Sequence, residues 1–171
     1  MLIADYTAHN VLAVDMTTRA VTVYAHESTM NQPNDLAIAA NDVLYASDPD
    51  WNASTGRVWR IGMDGKVTLI ASGLGTTNGI EVAPGDRTLY VNESRSNNVL
   101  AFDLSPSGEI SNKRVIINLP AVSLDGMRCD TAGNLYITRK GTADGTIAVL
   151  SPGGALLREV KLIGKSPSNI A

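Results

Sequence analysis

The stretch NGIEVAPGDRTLYVN (residues 78–92) sets an Asn-Gly pair, which is common in turns, directly against an alternating apolar run. Its pattern recurs in NDLAIAANDVLYAS (34–47) and in DGMRCDTAGNLYIT (125–138). In each stretch an apolar run, a turn rich in Gly, Asn or Asp, and a second run led by a leucine follow in the same order. The leading leucine recurs at intervals of 42, 45 and 46 residues: Leu2, Leu44, Leu89 and Leu135. The chain is therefore built from repeats.

Each repeat continues with two more short alternating runs, as in NNVLAFDLSPSGEISNKRVII (97–117). A unit thus has four strands, which we call A to D. In the unit that begins at Asn78 we expect A at 78–84, B at 88–92, C at 98–104 and D at 112–119. Four strands in about 40–50 residues are typical of a blade of a β-propeller, an all-β fold of stacked antiparallel sheets.

The ends of the chain do not coincide with the ends of blades. Residues 1–26 supply strands B, C and D, and the final SPSNIA (166–171) has the pattern of a lone strand A. We therefore expect a single domain over residues 1–171 with about four blade-equivalents. These either close a four-bladed ring through the last strand or, as we favour, form part of a larger ring. An open arc leaves apolar faces uncovered, so we expect weak stability or self-association through the terminal blades.

Composition excludes several classes of protein. Of the 171 residues 44% are hydrophobic and 18% are charged, which is ordinary for a globular domain, and the net charge of −3 offers no basic surface for nucleic acid. No apolar run is long enough to cross a membrane, and the N-terminus lacks the pattern of a secretory signal, so we expect a cytoplasmic protein. Cys129 is the only cysteine.

One polar position recurs at the start of strand A. It holds Asn34, Asn78, Asp125 and Asn169, at intervals of 44, 47 and 44 residues. Strand A is the innermost strand of a blade, so we expect these side chains to converge at one mouth of the central channel. Their oxygen atoms suit a hard divalent cation. The alternative is that each residue only shapes a local turn.

The same segments resemble the family of senescence marker protein (regucalcin), bacterial gluconolactonases and luciferin-regenerating enzyme. The matching pieces run through nearly the whole chain: QPNDLAI, LYASDPDW, TNGIEVAPGDRTLYVNES, LDGMRCDTAGNLYIT and SPSNIA. The resemblance implies a six-bladed propeller that hydrolyses sugar lactones or related lactones with a divalent metal at one channel mouth. Ca²⁺ is the first expectation for that metal, with Mg²⁺, Zn²⁺ and Mn²⁺ as alternatives.

The resemblance also implies roles for five residues. Asn78 matches a metal-binding Asn, and Asp125 matches a metal-binding Asp that is also the proposed general base. Asn34 matches an Asn that faces substrate, Asp48 matches a turn residue at the pocket rim where we expect it to contact substrate, and Asn169 matches a later polar position with a less defined role.

The chain departs from the family pattern at one metal ligand. The family places a Glu in a Glu-Gly-Pro context in the first blade, and this sequence contains no Glu-Gly-Pro. We therefore expect the middle four blade-equivalents of a six-bladed parent. Two functions stay open. The first is a metal-dependent lactonase, which is either active or inactive in a chain of this length. The second is a non-enzymatic binding scaffold or calcium-binding protein.

Other reactive side chains are assigned structural roles. We expect His9 and His26 at the surface, Cys129 packed as a small apolar group, and Trp59 in blade packing. Alternation along strand A turns Arg128 away from Asp125, so we expect it in a structural salt bridge. Trp51 is the one aromatic residue that we expect at a pocket wall.

Overall fold

The computed structural model describes residues 1–170, and these form fifteen strands joined by turns. The strands are β1 (Leu2–Asp5), β2 (Asn10–Val14), β3 (Val21–His26), β4 (Leu36–Ile38), β5 (Leu44–Asp50), β6 (Thr55–Ile61), β7 (Val67–Leu74), β8 (Thr77–Val82), β9 (Thr88–Glu93), β10 (Asn98–Leu104), β11 (Ile110–Asn118), β12 (Ser123–Cys129), β13 (Leu135–Lys140), β14 (Thr146–Leu150) and β15 (Leu156–Lys161). Within these residues we find no helix of the length and apolar character that crossing a bilayer requires.

The strands form four antiparallel sheets in chain order. The first sheet is β1-β2-β3, the second β4-β5-β6-β7, the third β8-β9-β10-β11 and the fourth β12-β13-β14-β15. The inner strand β8 packs against β4 and β5 on one side and against β12 on the other. The outer strands β11 and β15 are largely exposed, while β5, β9 and β10 are almost wholly buried. The all-β architecture of stacked four-stranded blades is confirmed.

The Leu-Tyr pairs of the second and third sheets explain why neighbouring sheets stack. Successive side chains of a strand point to opposite faces. Leu44 accordingly packs in a cluster with the first sheet, while Tyr45 packs in a cluster with Leu89 of the third. The Tyr45 hydroxyl donates to Gly108 O at 3.1 Å, and the Tyr90 hydroxyl donates to a carbonyl in the turn between β14 and β15, also at 3.1 Å. Each tyrosine thus fixes its blade to the outer turn of the next one.

The expectation of a strand at the C-terminus is wrong for the residues that the structure describes. Residues 162–170 contain no strand, and Ala171 lies outside the described part. Strand A pairs with the strand B that follows it in its own blade, and residues 1–170 include no such partner for Ser168 and Asn169. This segment lies against the fourth sheet instead, where Gly126 N donates to Ser168 O at 2.8 Å. Within residues 1–170, β1 pairs only with β2, so the alternative of a closed four-bladed ring is not formed.

Candidate functional site

The Asn-Gly pair of the third sheet is a β-bulge rather than a turn. The register of β8 with β9 runs regularly from Ile80 onward and shifts between Thr77 and Ile80, where Asn78 and Gly79 lie. The fourth sheet shows the same irregularity between Leu124 and Met127, at Asp125 and Gly126. Bulges redirect side chains and are common beside functional sites.

The glycines of these bulges are required by close approach of neighbouring inner strands. A Cβ atom on Gly79 would lie 2.5 Å from Asp125 O and 2.8 Å from Asn92 Nδ2. A Cβ atom on Gly126 would overlap the side chain of Asn169. Neither glycine has the left-handed backbone that a turn would demand. The bulge of the third sheet therefore lies against that of the fourth, and the bulge of the fourth lies against Asn169.

Asn78 is a buried amide at the contact between the third and fourth sheets. Its side chain is 3% exposed, and Nδ2 lies 3.4 Å from Leu124 O, which it faces as a donor. Asn92, on the neighbouring strand β9, is fully buried and its Nδ2 donates to Asp125 O. Asn92 Oδ1 is also buried and meets no donor among residues 1–170. This contact therefore carries an unused acceptor oxygen beside the Asp125 backbone.

Asp125 does not stand alone. Its Oδ2 lies 2.9 Å from Lys140 Nζ, and its side chain is only 16% exposed. Lys140 is the last residue of β13 and pairs with Ser123 in the register of the fourth sheet. An ammonium group thus contacts the one carboxylate of the predicted polar set. Reasoning from the sequence missed this pair.

Asn34 leads the second sheet, and the residue after it takes the place of the two glycines. Asp35 stands where the other units have Gly79 and Gly126. Its carboxylate accepts a hydrogen bond from Ile80 N at 3.3 Å, so it reaches the inner strand of the third sheet. The second and third sheets are thus bridged by a side chain, whereas the third and fourth sheets meet through their main chains.

Asp35 belongs to a cluster of charges that sequence reasoning did not find. Arg128 Nη1 lies 3.2 Å from Glu81 Oε2 and 4.0 Å from Asp35 Oδ2. The expected structural salt bridge of Arg128 is confirmed. Burial raises the pKa of both carboxyls, and the Arg128 guanidinium opposes that rise. The negative charge of Asp125 raises the pKa of Asp35 further, so these two carboxylates are electrostatic neighbours.

A cavity of about 330 Å³ runs along β4. Its walls include Leu2 and Ala4 of β1, Asn34, Asp35 and Arg128. Asn34, the expected substrate-binding residue, therefore borders a space large enough for a small molecule. Asn78 and Asp125 are not part of its lining. The structure brings the metal-site candidates together on one contact and places the substrate-site candidate on the adjoining cavity.

Asp48 and Asn169 occupy different settings. Asp48 is 1% exposed, and its carboxylate accepts from Asn31 N, Gln32 N and Trp59 Nε1 at 2.6–3.0 Å. It orders the loop before the second sheet, and its role toward substrate stays a prediction. Asn169 is exposed against Gly126, and its Oδ1 accepts from Ile170 N at 2.8 Å.

The remaining reactive side chains lie in structural roles. Trp59 packs in the cluster between the first and second sheets, as expected. Cys129 packs against the apolar cluster between the third and fourth sheets, and burial raises its pKa to about 12, which makes its thiol unreactive. His26 is exposed, while His9 is half-buried in the turn between β1 and β2. The guanidinium carbon Cζ of Arg95 lies over the Trp51 ring, 6.0 Å from the ring centre.

The oxygen atoms at the contact of the third and fourth sheets are of the type that a hard divalent cation prefers as ligands. Asp125 offers a carboxylate, Asn78 offers an amide, and Asn92 Oδ1 is a buried acceptor with no donor in the described chain. Oxygen ligands are those that Ca²⁺ and Mg²⁺ prefer. Residues 1–170 contain no group of three or more His, Cys, Asp or Glu side chains placed to hold a metal ion. The set is therefore poor in charge, and its one carboxylate already contacts Lys140.

Comparison with known proteins gives the family. The model of the SMP-30/gluconolactonase/LRE-like region matches residues 2–171. The chain belongs to this family. A gluconolactonase of Zymomonas mobilis is 27% identical over an alignment of 179 positions, gaps included, and the alignment covers 91% of this chain and 49% of that protein. The chain thus spans about half the length of the curated relative. The resemblance predicted from the sequence is confirmed.

Solved structures support the fold. A calcium-binding protein, regucalcin, from Agrobacterium tumefaciens matches 98% of this chain and 58% of its own with a TM-score of 0.82 at 21% identity. A gluconolactonase of Xanthomonas campestris matches 98% of this chain and 60% of its own with a TM-score of 0.82 at 22% identity. A luciferin-regenerating enzyme matches 95% of this chain and 58% of its own with a TM-score of 0.78 at 21% identity.

Proposed function

We propose that this chain carries part of the active site of a divalent-metal-dependent hydrolase of sugar lactones or related lactones. The observation that supports it most is the contact of the Asn78 and Asp125 bulges, where Gly79 closely approaches Asp125 O and the Asn78 amide faces the carbonyl of Leu124, the residue before Asp125. Asn34 borders the adjoining cavity of about 330 Å³. The Zymomonas and Xanthomonas relatives, named gluconolactonases, give the substrate class.

Each of these residues would have a distinct role in the hydrolysis of a cyclic ester. Asp125 and Asn78 would hold the cation, which when bound supplies a Lewis acid that polarises a carbonyl. Asp125 would take a proton from the attacking water as the new C–O bond forms. The ring C–O bond breaks, and that proton goes to the departing ring oxygen, so that a hydroxy acid is the product. Asn34 would donate a hydrogen bond that orients the lactone in the cavity.

A hydrolysis assay on the full chain tests the proposal. With glucono-1,5-lactone and Ca²⁺ we expect acid release above the spontaneous rate and its loss in excess chelator. Asp125→Asn keeps the shape and removes the base, so kcat should fall by about 100-fold or more. Asn34→Ala should act chiefly on KM. Asn52→Ala, on an exposed turn, serves as the matched control and should match the wild type. Hydrolysis that survives the chelator, or that survives Asp125→Asn, would contradict the proposal.

A second candidate is a calcium-binding propeller without hydrolase activity. The separation of the cavity from Asp125 and Asn78 favours it, because a water activated at Asp125 must reach a lactone held in the cavity. The Agrobacterium structural neighbour is called a calcium-binding protein. Calcium binding by calorimetry together with no lactone hydrolysis above background would select this candidate.

A further inference from the structure

Lys140 is the feature of the candidate site that the proposed mechanism does not use. Its ammonium group lies 2.9 Å from Asp125 Oδ2, and its side chain is about one-third exposed. The strand β13 fixes its backbone, because Val122 N donates to Lys140 O at 3.0 Å. The neighbouring Arg139 is engaged elsewhere, in an ion pair with Glu159. Lys140 is therefore the cation positioned to neutralise Asp125.

The other repeats hold no cation at this position. Five residues beyond each leading leucine the chain has Thr7, Pro49, Ser94 and Lys140. The Ser94 hydroxyl contacts Leu124 O, so the equivalent position of the third sheet also faces the inner strand of the fourth. The lysine occurs in the unit whose repeated polar position holds a carboxylate, Asp125, whereas the two preceding units have Asn34 and Asn78 there. The two charges thus occur together in one unit.

We propose that Lys140 is a resident cation of this site, which occupies the place beside Asp125 that a divalent cation takes and has to be displaced before the ion binds. The proposal rests on the metal-binding role of Asp125 proposed above. The geometry allows the exchange, because a partly exposed lysine can swing into water while Asp125 stays in its bulge. Lys140 then sets the affinity of the site. It keeps the carboxylate satisfied without metal and makes binding weak.

Calcium titration by calorimetry on the full chain tests this without any lactone. Lys140→Met should tighten the dissociation constant for Ca²⁺ at least ~10-fold, which corresponds to ~1.4 kcal/mol. Lys140→Arg keeps the charge and should bind as weakly as the wild type. Lys66→Met makes the same change of net charge in an exposed outer turn and is the matched control. Its affinity should equal that of the wild type.

Two further variants keep the test decisive. Lys140→Gln, which is neutral and polar, replaces Lys140→Met if thermal melts show that the methionine unfolds the chain. Asp125→Asn combined with Lys140→Met should lose the gained affinity, which places the new binding at Asp125. The proposal is overturned if folded Lys140→Met and Lys140→Gln bind Ca²⁺ no more tightly than the wild type, or if the gain survives Asp125→Asn. A gain in affinity without lactone hydrolysis would support Lys140 as resident cation while rejecting the hydrolase.

Discussion

The inner strands meet at two contacts that are built in different ways. Between β8 and β12, two bulges approach through bare main chain, with Gly79 against Asp125 O and Asn92 Nδ2 bonded to the same carbonyl. Between β4 and β8 the gap is crossed by a side chain, because Asp35 replaces the glycine and accepts from Ile80 N. Arg128 ties that carboxylate to Glu81.

The repeat thus sets the position of each contact and not its chemistry. The glycine contact is steric, so its stability should depend on atomic size and hardly on pH. The carboxylate contact is electrostatic, so it should tolerate changes of size and respond to pH. The site candidates Asn78 and Asp125 lie on the steric contact.

Gly79→Ala should have the largest effect. The new Cβ atom would lie 2.5 Å from Asp125 O and 3.0 Å from Met127 N, and both are main-chain atoms that cannot swing away. We expect the free energy of unfolding to fall by about 3 kcal/mol. The site should be lost with it, because the two bulges must move apart. Chemical denaturation with an unchanged m-value measures the loss.

Two other glycines serve as controls for Gly79→Ala. Gly126→Ala should cost less, since the nearest atoms belong to the side chain of Asn169 in a segment without strand pairing. Gly153→Ala should cost little, because its Cβ atom would meet nothing closer than the Ser151 hydroxyl at 3.9 Å. Equal losses at Gly79 and Gly153 would show that close approach is not what the glycine at 79 provides.

Arg128→Met should have the next largest effect, and the effect should depend on pH. Removing the guanidinium leaves Asp35 and Glu81 buried without a countercharge. We expect a loss of about 1–2 kcal/mol at pH 7.5, below the ~3–5 kcal/mol of a fully buried pair, because Arg128 is about one-third exposed. Thermal or urea unfolding across pH measures it.

The pH dependence of Arg128→Met follows from the direction of the two pKa shifts. Burial raises the pKa of both carboxyls, so the folded chain binds protons more readily than the unfolded chain between the ordinary and the raised pKa. Stability from these groups falls as pH rises through that window. Loss of Arg128 raises both pKa values further. The variant's loss of stability relative to the wild type should therefore be largest at a pH above these raised values. It should shrink as the pH falls toward the ordinary carboxyl range. A deficit of constant size would contradict an electrostatic contact.

Local pattern was enough to predict the blades. In the third sheet the expected strands at 78–84, 88–92, 98–104 and 112–119 appear as Thr77–Val82, Thr88–Glu93, Asn98–Leu104 and Ile110–Asn118. Alternation and turn residues are short-range signals, and the repeat supplies independent copies of each. The C-terminal SPSNIA carries the same pattern and forms no strand in its described residues, because pairing needs a partner that pattern cannot supply.

The candidate site was only partly predictable for the same physical reason. Asn34, Asn78 and Asp125 follow from one repeat position, and their convergence at one channel mouth stays a prediction. The Arg128 bridge to Asp35 joins residues in different blades, and Lys140 reaches Asp125 across a bulge. Such pairs depend on the direction of individual side chains. The sequence does carry a signal for these two pairs, because Asp35 and Lys140 differ from the residues at the equivalent positions of the other repeats.

Asn92→Thr should have the smallest effect and sharpens the contrast from within the steric contact. The equivalent residue of the fourth sheet is Thr138, whose hydroxyl donates to Gly126 O at 3.0 Å, so a threonine can brace a bulge from this position. The change loses the bond from Asn92 to Asp125 O and also removes a buried oxygen that has no donor in the described chain. These two consequences oppose each other, so we expect a change in stability within about 1 kcal/mol. Thr138→Asn is the reciprocal control and should cost more, since it gives up an existing bond and buries a larger amide. If Asn92→Thr destabilises the chain as much as Gly79→Ala, then the amide bond to Asp125, and not the close approach of the main chains, holds the two bulges together.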